Sequence, residues 1–168
     1  MISAPAVVLI DGRSGSGKSV LAERLAAELY AQILPVESLY PGWDGLAQGS
    51  AAVAPTLERG AYLRYDWIRG EFTEAVALAE GPLVIEGCGA ITQASLAAAS
   101  RWAERWAGGD ARVHAIWLEM GEDLRRERAL ARDGETFAPH WERWAAQEAA
   151  HFGEHRPWQL ADEVRQSE

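Results

Sequence analysis

Apolar runs alternate with stretches of helical periodicity along most of this chain. Short and nearly continuous apolar runs are typical of strands buried on both faces of a parallel sheet. They cover residues 6–11, 32–36, 82–86 and 112–119. Because strands that alternate with helices pair in parallel through crossover connections, this order predicts an α/β fold with a central sheet flanked by helices.

The same pattern predicts the helices and the longest loop. Helices are expected over residues 18–31, 56–79 with breaks at Gly60 and Gly70, 92–107, 122–132 and 139–152. Residues 41–55 are rich in Gly, Ala and Ser and are predicted to form one long loop. Pro35 places the second strand at a sheet edge or ends it. A further strand would have to come from residues 160–164, which are polar and fit a strand poorly.

A glycine-rich segment joins the first predicted strand to the first predicted helix. Residues 12–19 read GRSGSGKS and match the phosphate-binding pattern G-x-x-x-x-G-K-[ST] in full. Glycines let the backbone N–H groups converge on a phosphate, which also meets the positive end of the helix. The Ser19 hydroxyl is expected on a bridging Mg²⁺. The predicted nucleotide-binding residues are Gly12, Arg13, Ser14, Gly15, Ser16, Gly17, Lys18, Ser19 and Val20.

Lys18 is the only lysine in the chain, and every other long cationic side chain is an arginine. A compact ammonium suits a loop in which it must touch phosphate oxygens as a point charge. The alternative is a Gly- and Ser-rich turn without a ligand. The apolar strand before the motif and the helical pattern after it favour the phosphate site.

Composition narrows the class of protein. With 168 residues, 48% of them hydrophobic, residues 1–168 are expected to form one domain with a substantial core. The net charge of −9 disfavours a nucleic-acid polymer as partner, because clustered cations bind phosphate backbones. The single cysteine, Cys88, favours a reducing cytoplasm. The first apolar run ends at residues 11–12, too short for a signal peptide or membrane span.

Residues 12–19 are called the P-loop below. Three short segments beyond the P-loop carry a family resemblance. Residues 37–40 read ESLY, residues 85–87 read IEG and residues 132–133 read RD. Together with IDGRSGSGKS at residues 10–19, they resemble the uridine-kinase-like group of P-loop nucleoside and nucleotide kinases, from the first strand to about Phe152.

The resemblance implies a three-layer P-loop NTPase fold with about five parallel strands and a helical lid over about residues 125–152. It also implies ATP with Mg²⁺, and transfer of the γ-phosphoryl group to a hydroxyl or phosphate of a nucleoside, nucleotide or similar small acceptor. Such transfer depends on positioned charge more than on covalent chemistry. The chain should therefore supply acids for a base and a metal, and cations for the transferred phosphate.

Two carboxylates follow predicted strands. Glu37 follows the second strand, at the edge of the sheet where ligands bind, and is the candidate base for the acceptor's hydroxyl proton. Similar kinases carry Asp in a matching D-S-F-Y segment, so Glu37 departs by one methylene, and an exposed loop acid is the alternative. Glu86, before Gly87, is expected to hold Mg²⁺ or contact the acceptor. Glu119 ends an equally apolar run, and pattern alone does not separate it from Glu86.

Helical spacing places Arg125, Arg128 and Arg132 on one face of a predicted helix. In the resembling family this region leads into the lid, so Arg128 and Arg132 are the candidate cations for the transferred phosphate. The alternative is a solvated helix whose arginines pair with neighbouring acids.

Aromatic residues are concentrated between the second and third strands, where the acceptor should bind. Flat aromatic faces can stack on a planar acceptor. The candidate acceptor-binding residues are Tyr40, Trp43, Tyr65, Asp66, Trp67 and Glu86. Since aromatic side chains are more often buried for their area, core packing is the alternative. The chain does not indicate whether the protein is a monomer or a homodimer.

Two alternatives to a kinase stay open. Residues 151–155 read HFGEH and match a zinc-peptidase pattern, H-x-x-E-H, but Gly153 and the following Pro157 weaken the helix that such ligands need. The second alternative is a regulatory or adaptor protein that binds ATP or GTP without a small acceptor.

Overall fold

The computed structural model describes residues 4–167. In chain order its strands are β1 (Val7–Gly12), β2 (Gln32–Pro35), β3 (Ala61–Asp66), β4 (Glu71–Ala77), β5 (Leu83–Glu86), β6 (Val113–Glu119) and β7 (Glu163–Gln166). Its helices are α1 (Lys18–Leu29), α2 (Leu46–Arg59), α3 (Gln93–Ala107), α4 (Glu122–Asp133), α5 (Trp141–His155) and α6 (Pro157–Leu160). Among these described helices, none combines the length and apolarity that crossing a membrane requires.

Five strands form a parallel sheet in the order β2-β5-β1-β6-β7. Val8 and Ile10 of β1 pack on one face with Leu21 of α1. Val7 and Leu9 point to the other face, into a larger core shared with α2, α3 and α5. The strands are apolar on both sides because helices cover both faces, which confirms the predicted three-layer α/β fold with five parallel strands.

The two outer strands explain the weaker sequence signals. Pro35 ends β2, which is an edge strand, so its missing N–H interrupts no inner ladder. The fifth strand of the sheet, β7, begins three residues after the start of the predicted segment 160–164. It spans Glu163–Gln166 and pairs with β6. Its alternating half-buried and exposed residues suit the other edge of the sheet, which is why its sequence is polar.

The loop predicted over residues 41–55 is wrong from Leu46 onward, because α2 occupies that segment. Pro55 inside the helix costs about 3 kcal/mol relative to alanine, and the small residues have the composition of a loop. Burial of one helical face offsets this cost. That face is formed by Leu46, Gly49, Ser50, Val53, Thr56 and Leu57.

The helix predicted over residues 56–79 is also wrong beyond Arg59, since β3 and β4 form an antiparallel hairpin there. Gly60 is where α2 ends, and Gly70, with φ of 71°, lies in the hairpin turn. Both glycines were interpreted as breaks within one helix. They are instead the two points at which the chain reverses or changes element, and left-handed backbone of this kind favours glycine.

The segment expected to form a lid contains α4, two short 3-10 turns at Gly134–Thr136 and Ala138–His140, and α5. Trp144 and Phe152 of α5 are buried in the larger core. The body of α5 is therefore part of the packed structure, and the turns before it lie closer to solvent.

Candidate active site

A cavity of about 680 Å³ opens where β1, β2 and β5 end. Ligands of open parallel sheets bind at this carboxyl edge, and the volume is typical of small-molecule sites. The lining combines P-loop residues, acids that follow two strands, and aromatic side chains. It consists of Ser14, Gly15, Gly17, Lys18, Ser19, Glu37, Tyr40, Trp43, Trp67, Glu86, Gly87, Cys88, Arg132, Asp133, Thr136, Phe137 and Trp144.

The P-loop leads directly into α1, the context that its motif requires. Lys18 is 9% exposed, and its Nζ donates to the backbone oxygen of Arg13 at 2.9 Å. The ammonium is thus folded over its own loop. A Cβ at Gly15 would lie 2.1 Å from the backbone oxygen of Arg125, so only glycine permits this close approach of the loop to α4.

Not every P-loop side chain faces the cavity. The Arg13 guanidinium lies over the rings of Trp117 and Phe152 and 3.6 Å from Glu119. The side chain of Val20 is 75% exposed. The side chains of Arg13 and Val20 thus lie outside the cavity lining, so only their backbone groups could make the predicted contacts with a nucleotide. Gly12 and Ser16 are buried and lie outside the cavity lining.

Glu86 is the acid that the fold brings to Ser19 of the P-loop. Ser19 Oγ donates to Glu86 Oε1 at 3.4 Å. Burial raises the pKa of the Glu86 carboxyl, and the nearby Lys18 opposes this shift. Glu119, which pattern could not distinguish from Glu86, instead accepts a hydrogen bond from Trp117 Nε1 at 2.7 Å and lies outside the cavity lining.

Glu37 lies in a 3-10 turn, Val36–Leu39, directly after β2. Its side chain lines the cavity while reaching solvent. The Glu37 charge contributes to raising the pKa of both Glu86 and Arg132, although burial is the main cause for Glu86 and the bond to Asp133 for Arg132. The charge of Glu37 is therefore felt both by Glu86, beside the P-loop, and by Arg132, at the end of α4.

The arginines of α4 have three different environments. Arg125 is buried, and its guanidinium donates to the backbone oxygen of Ser14 at 3.3 Å. Arg132 lines the cavity and makes two hydrogen bonds to Asp133, at 3.0 and 2.8 Å. Arg128 is exposed and lies outside the cavity lining. Of the predicted pair, the structure brings Arg132 to the cavity and leaves Arg128 away from it.

Five aromatic residues form one wall of the cavity, which we call the aromatic wall: Tyr40, Trp43, Trp67, Phe137 and Trp144. Trp43 lies at its centre, with ring centroids 5.0 Å from Trp67 and 5.3 Å from Phe137, both edge-on. Three of the five were predicted from their position between strands. Phe137 and Trp144 come from the distant end of the chain and carry no local signal of a binding role.

Two predicted acceptor-binding residues lie outside the lining. Tyr65 packs edge-on against Trp67 and Phe72, with centroids 5.2 and 5.1 Å away. One carboxylate oxygen of Asp66 accepts the backbone N–H groups of Ile68 and Arg69, both at 2.9 Å. These residues hold the hairpin turn that carries Trp67, so their role in the structure is to support the wall.

Asp11 is a buried residue that sequence reasoning missed. Its carboxylate is fully buried and accepts the N–H groups of Gly12 at 2.7 Å, Gly89 at 3.1 Å and Ile91 at 2.9 Å. Burial raises its pKa to about 7, against the lowering effect of those bonds and of Lys18. An acid at the end of an otherwise apolar run was the available signal.

Glu148 of α5 was missed as well. It is 2% exposed, and its Oε2 accepts the backbone N–H of Ser14 at 2.8 Å. Burial raises the pKa of this carboxyl, while Lys18 and the Ser14 bond lower it. The backbone of Ser14 is thus held at both its N–H and its oxygen, because that oxygen accepts from Arg125. Helix periodicity alone gives no indication that one face of α5 reaches the P-loop.

The residues of the zinc-peptidase pattern have other contacts. His151 is buried, its ring lies 4.4 Å from that of His155, and its Nε2 is 3.4 Å from Ser50 Oγ. Burial lowers the pKa of His151 to about 4, so the ring is neutral. Across the described residues 4–167, no group of three or more His, Cys, Asp or Glu side chains is arranged to hold a metal ion. Cys88 is buried, which raises its pKa to about 12 and keeps the thiol protonated.

Comparison with known proteins gives a fold. No protein-family model matches this chain, and no curated protein matches its sequence. Among solved structures, a possible uridine kinase from Bacillus stearothermophilus has a TM-score of 0.56 at 15% identity, covering 98% of this chain and 90% of that one. Shikimate kinase from Acinetobacter baumannii, in complex with shikimate, has a TM-score of 0.55 at 15% identity and covers 98% and 85%.

A gluconokinase from Sinorhizobium meliloti 1021 is similar at a TM-score of 0.51 and 19% identity, with 88% of this chain and 74% of that chain covered. These proteins share a P-loop kinase architecture and differ in their acceptors. The chain has the fold of the P-loop kinases. The fold predicted from the P-loop and the alternating strands is confirmed, and at these identities the likeness extends to the fold alone.

Asp11 predicts a measurable pH dependence of stability. A carboxyl whose pKa is raised from 3.8 to about 7 binds its proton more tightly when folded, so its contribution to stability falls as pH rises from about 4 to about 7. The slope is at most about 1.4 kcal/mol per pH unit. In urea unfolding, the stability difference between the native protein and Asp11→Asn should shrink across this range. Asp110→Asn, at an exposed site, should give a parallel curve; parallel curves for both variants would contradict the assignment.

Glu148 predicts an effect on the P-loop from a distant helix. Glu148→Ala leaves the buried N–H of Ser14 without its acceptor, whereas Glu148→Gln keeps an acceptor oxygen. An unsatisfied buried donor costs about 1–3 kcal/mol, so we expect the alanine variant to bind the ATP analogue AMP-PNP about tenfold more weakly. The glutamine variant should stay within about threefold. Titration calorimetry with Mg²⁺ measures both, and equal losses would show that the carboxylate charge matters instead of the hydrogen bond.

Proposed function

We propose that this protein is an ATP-dependent small-molecule kinase that transfers the γ-phosphoryl group to a hydroxyl of a small acceptor. One observation carries the proposal. A single cavity holds the P-loop Lys18, the Ser19–Glu86 pair, the Glu37 carboxylate and the aromatic wall. Phosphate-binding groups, acids and a space for an acceptor are thus adjacent, as phosphoryl transfer requires.

The residues present fit ATP with Mg²⁺. The ammonium of Lys18 and the N–H groups of the P-loop suit phosphate oxygens, and α1 adds the positive end of its dipole. The Ser19 hydroxyl and the Glu86 carboxylate supply oxygen atoms, the ligand type that Mg²⁺ prefers. When bound, Mg²⁺ would neutralise charge on the phosphates. A dication beside Glu86 would also favour its ionised form, which burial alone disfavours.

Glu37 is the proposed base. The acceptor's hydroxyl oxygen forms a bond to the γ-phosphorus, the bond from that phosphorus to the leaving oxygen of ADP breaks, and the hydroxyl proton moves to the Glu37 carboxylate. The exposure of Glu37 keeps its carboxylate hydrated, and its place beside the aromatic wall brings it to the acceptor.

Arg132 is the proposed cation for the transferred phosphate. Its guanidinium lines the cavity and is held in place by Asp133. Positive charge at this point would stabilise the negative charge that spreads over the phosphoryl oxygens in the transition state. Arg128 is exposed on the same helix, so a contribution from it would require the lid segment to move.

A kinase and a nucleotide-binding regulatory protein differ in a property that can be measured. A protein that only holds ATP or GTP has no use for the space beside the aromatic wall. We expect ADP formation to depend on an added hydroxyl compound. A screen with ATP and Mg²⁺ should begin with uridine, shikimate and gluconate, the acceptors named for the kinases of similar fold, and extend to other sugars and alcohols. Nucleotide binding without acceptor-dependent ADP formation would support the regulatory alternative.

Lys18→Ala should abolish turnover and leave the fold intact. The side chain faces the cavity and makes its hydrogen bonds within the P-loop, so its loss removes a phosphate contact without opening the core. We expect at least a hundredfold loss of activity, about 2.7 kcal/mol or more, in a coupled assay of ADP release. Arg24→Ala, which removes an exposed cation from α1, is the matched control and should be fully active. Full activity of the Lys18 variant would refute the proposal.

Glu37→Gln should separate chemistry from binding. The amide keeps the size of the side chain and cannot accept the proton, so kcat should fall by about 10²–10⁴-fold while AMP-PNP affinity changes little. Glu23→Gln, at an exposed position on α1, controls for the loss of one negative charge. Equal losses in kcat and nucleotide affinity would reject Glu37 as the base.

A further inference from the structure

The acceptor end of the cavity has an unusual balance of charge. We define it as Glu37 together with the aromatic wall, Tyr40, Trp43, Trp67, Phe137 and Trp144. Glu37 is the only member with a formal charge, and that charge is negative. Glu86, at the border with the P-loop, adds a second carboxylate. A ligand placed here meets aromatic rings on one side and acids on the other.

The cavity also contains cations, and one of them, Arg132, is close enough to Glu37 that, after the bond to Asp133, the Glu37 charge contributes to raising the pKa of Arg132. Among the residues of the described chain that line it, the basic side chains are Lys18 and Arg132. Lys18 belongs to the P-loop, and Arg132 is paired with Asp133 near the mouth. Both suit the phosphates of ATP, which would consume their charge once bound.

Three other arginines near this region are engaged by groups of their own. Arg143, which precedes Trp144 on α5, makes a two-pronged ion pair with Asp44. Arg125 is buried under the P-loop, where it donates to backbone oxygens. Arg13 is held by Glu119. These three arginines are thus paired away from the aromatic wall, and a basic side chain that does contact the wall is His140, whose ring stacks on Trp43 with centroids 4.3 Å apart.

This arrangement discriminates by charge. A carboxylate or phosphate group entering the acceptor end would lose hydration without gaining an unpaired cation, since Arg132 is paired with Asp133, and it would be repelled by Glu37. Uncharged rings can instead stack on the aromatic faces, and an ammonium group gains from both those faces and the carboxylate. We propose that the acceptor is a hydroxyl compound without an anionic group, neutral or cationic, with a flat or apolar body held by the aromatic wall.

The inference rests on the proposed kinase function and narrows it. Nucleotides and acidic sugars are excluded as acceptors, whereas nucleosides and amino alcohols fit. Exclusion of anions would also keep inorganic phosphate and free nucleotides away from the acceptor end. The hydroxyl of such an acceptor then approaches Glu37 without an acidic group of the acceptor beside it.

Matched pairs of compounds test the charge rule. Each pair shares its hydroxyl groups and differs in charge: uridine and orotidine, methyl shikimate and shikimate, methyl 3-phenyllactate and 3-phenyllactate. We expect the non-anionic member to be favoured at least tenfold in kcat/KM. Tryptophan fluorescence can measure the affinity of each compound for protein saturated with AMP-PNP and Mg²⁺, since Trp43, Trp67 and Trp144 line the site. The non-anionic member of each pair should also bind more tightly.

The outcomes are distinct. Preference for the anionic member of any pair would overturn the charge rule, and so would the absence of binding by all six compounds to protein that holds AMP-PNP. Failure to bind AMP-PNP at all would instead count against the proposed kinase function.

A variant with an added cation provides a second test. Trp67→Arg would place a guanidinium on the wall, and Trp67→Phe, which keeps an aromatic ring, is its control. Relative to the control, the preference within each pair should shift toward the acid by about tenfold, as expected for one charge-assisted contact. Thermal melting of both variants checks that the hairpin is intact. An unchanged preference in a folded Trp67→Arg protein would contradict the inference.

Discussion

One buried carboxylate fixes the spacing on which the cavity depends. Asp11 accepts N–H groups from its own strand end and from Gly89 and Ile91, which follow β5. It therefore ties the start of the P-loop to the backbone beyond Glu86. The oxygen of Gly89 in turn accepts from Ser50 of α2. Removing hydration from an acid is costly, and three converging N–H groups offset that cost only when both strand ends are in place.

The two ends of the cavity differ in their electrostatic environment. At the P-loop end, Lys18 and Arg132 supply positive charge, and the N–H and oxygen of Ser14 bond to Glu148 and Arg125. On the acceptor side, Glu37 faces aromatic rings. The proposed phosphoryl transfer needs this separation, because ATP carries several negative charges and the acceptor must approach its terminal phosphate. Glu86 lies between the two ends. Burial raises the pKa of its carboxyl, Glu37 adds to this shift and Lys18 opposes it.

Most of the fold could be predicted from local patterns, and the misassigned segment shows the limit. The four strands of the parallel sheet that lie within the first 119 residues follow from apolar runs, since helices cover both faces of that sheet. The predictions for residues 46–55 and 60–79 are wrong because local signals opposed the structure. Pro55 and many small residues favour a loop, yet tertiary burial of Leu46, Val53 and Leu57 stabilises a helix. Gly60 and Gly70 mark turns in either interpretation.

The sequence by itself determined the P-loop and its lysine, because that site is built from consecutive residues whose backbone conformation is set locally. It also placed Glu37 after the second predicted strand, Glu86 at the end of the third, and three aromatic residues between these two strands. Only the tertiary structure decided that Glu86 and not Glu119 faces Ser19, that Tyr65 and Asp66 support the hairpin, and that α5 brings Glu148, Trp144 and the adjoining Phe137 to the site. These contacts join residues up to 134 positions apart, and no periodicity within one element records which partner its face will meet.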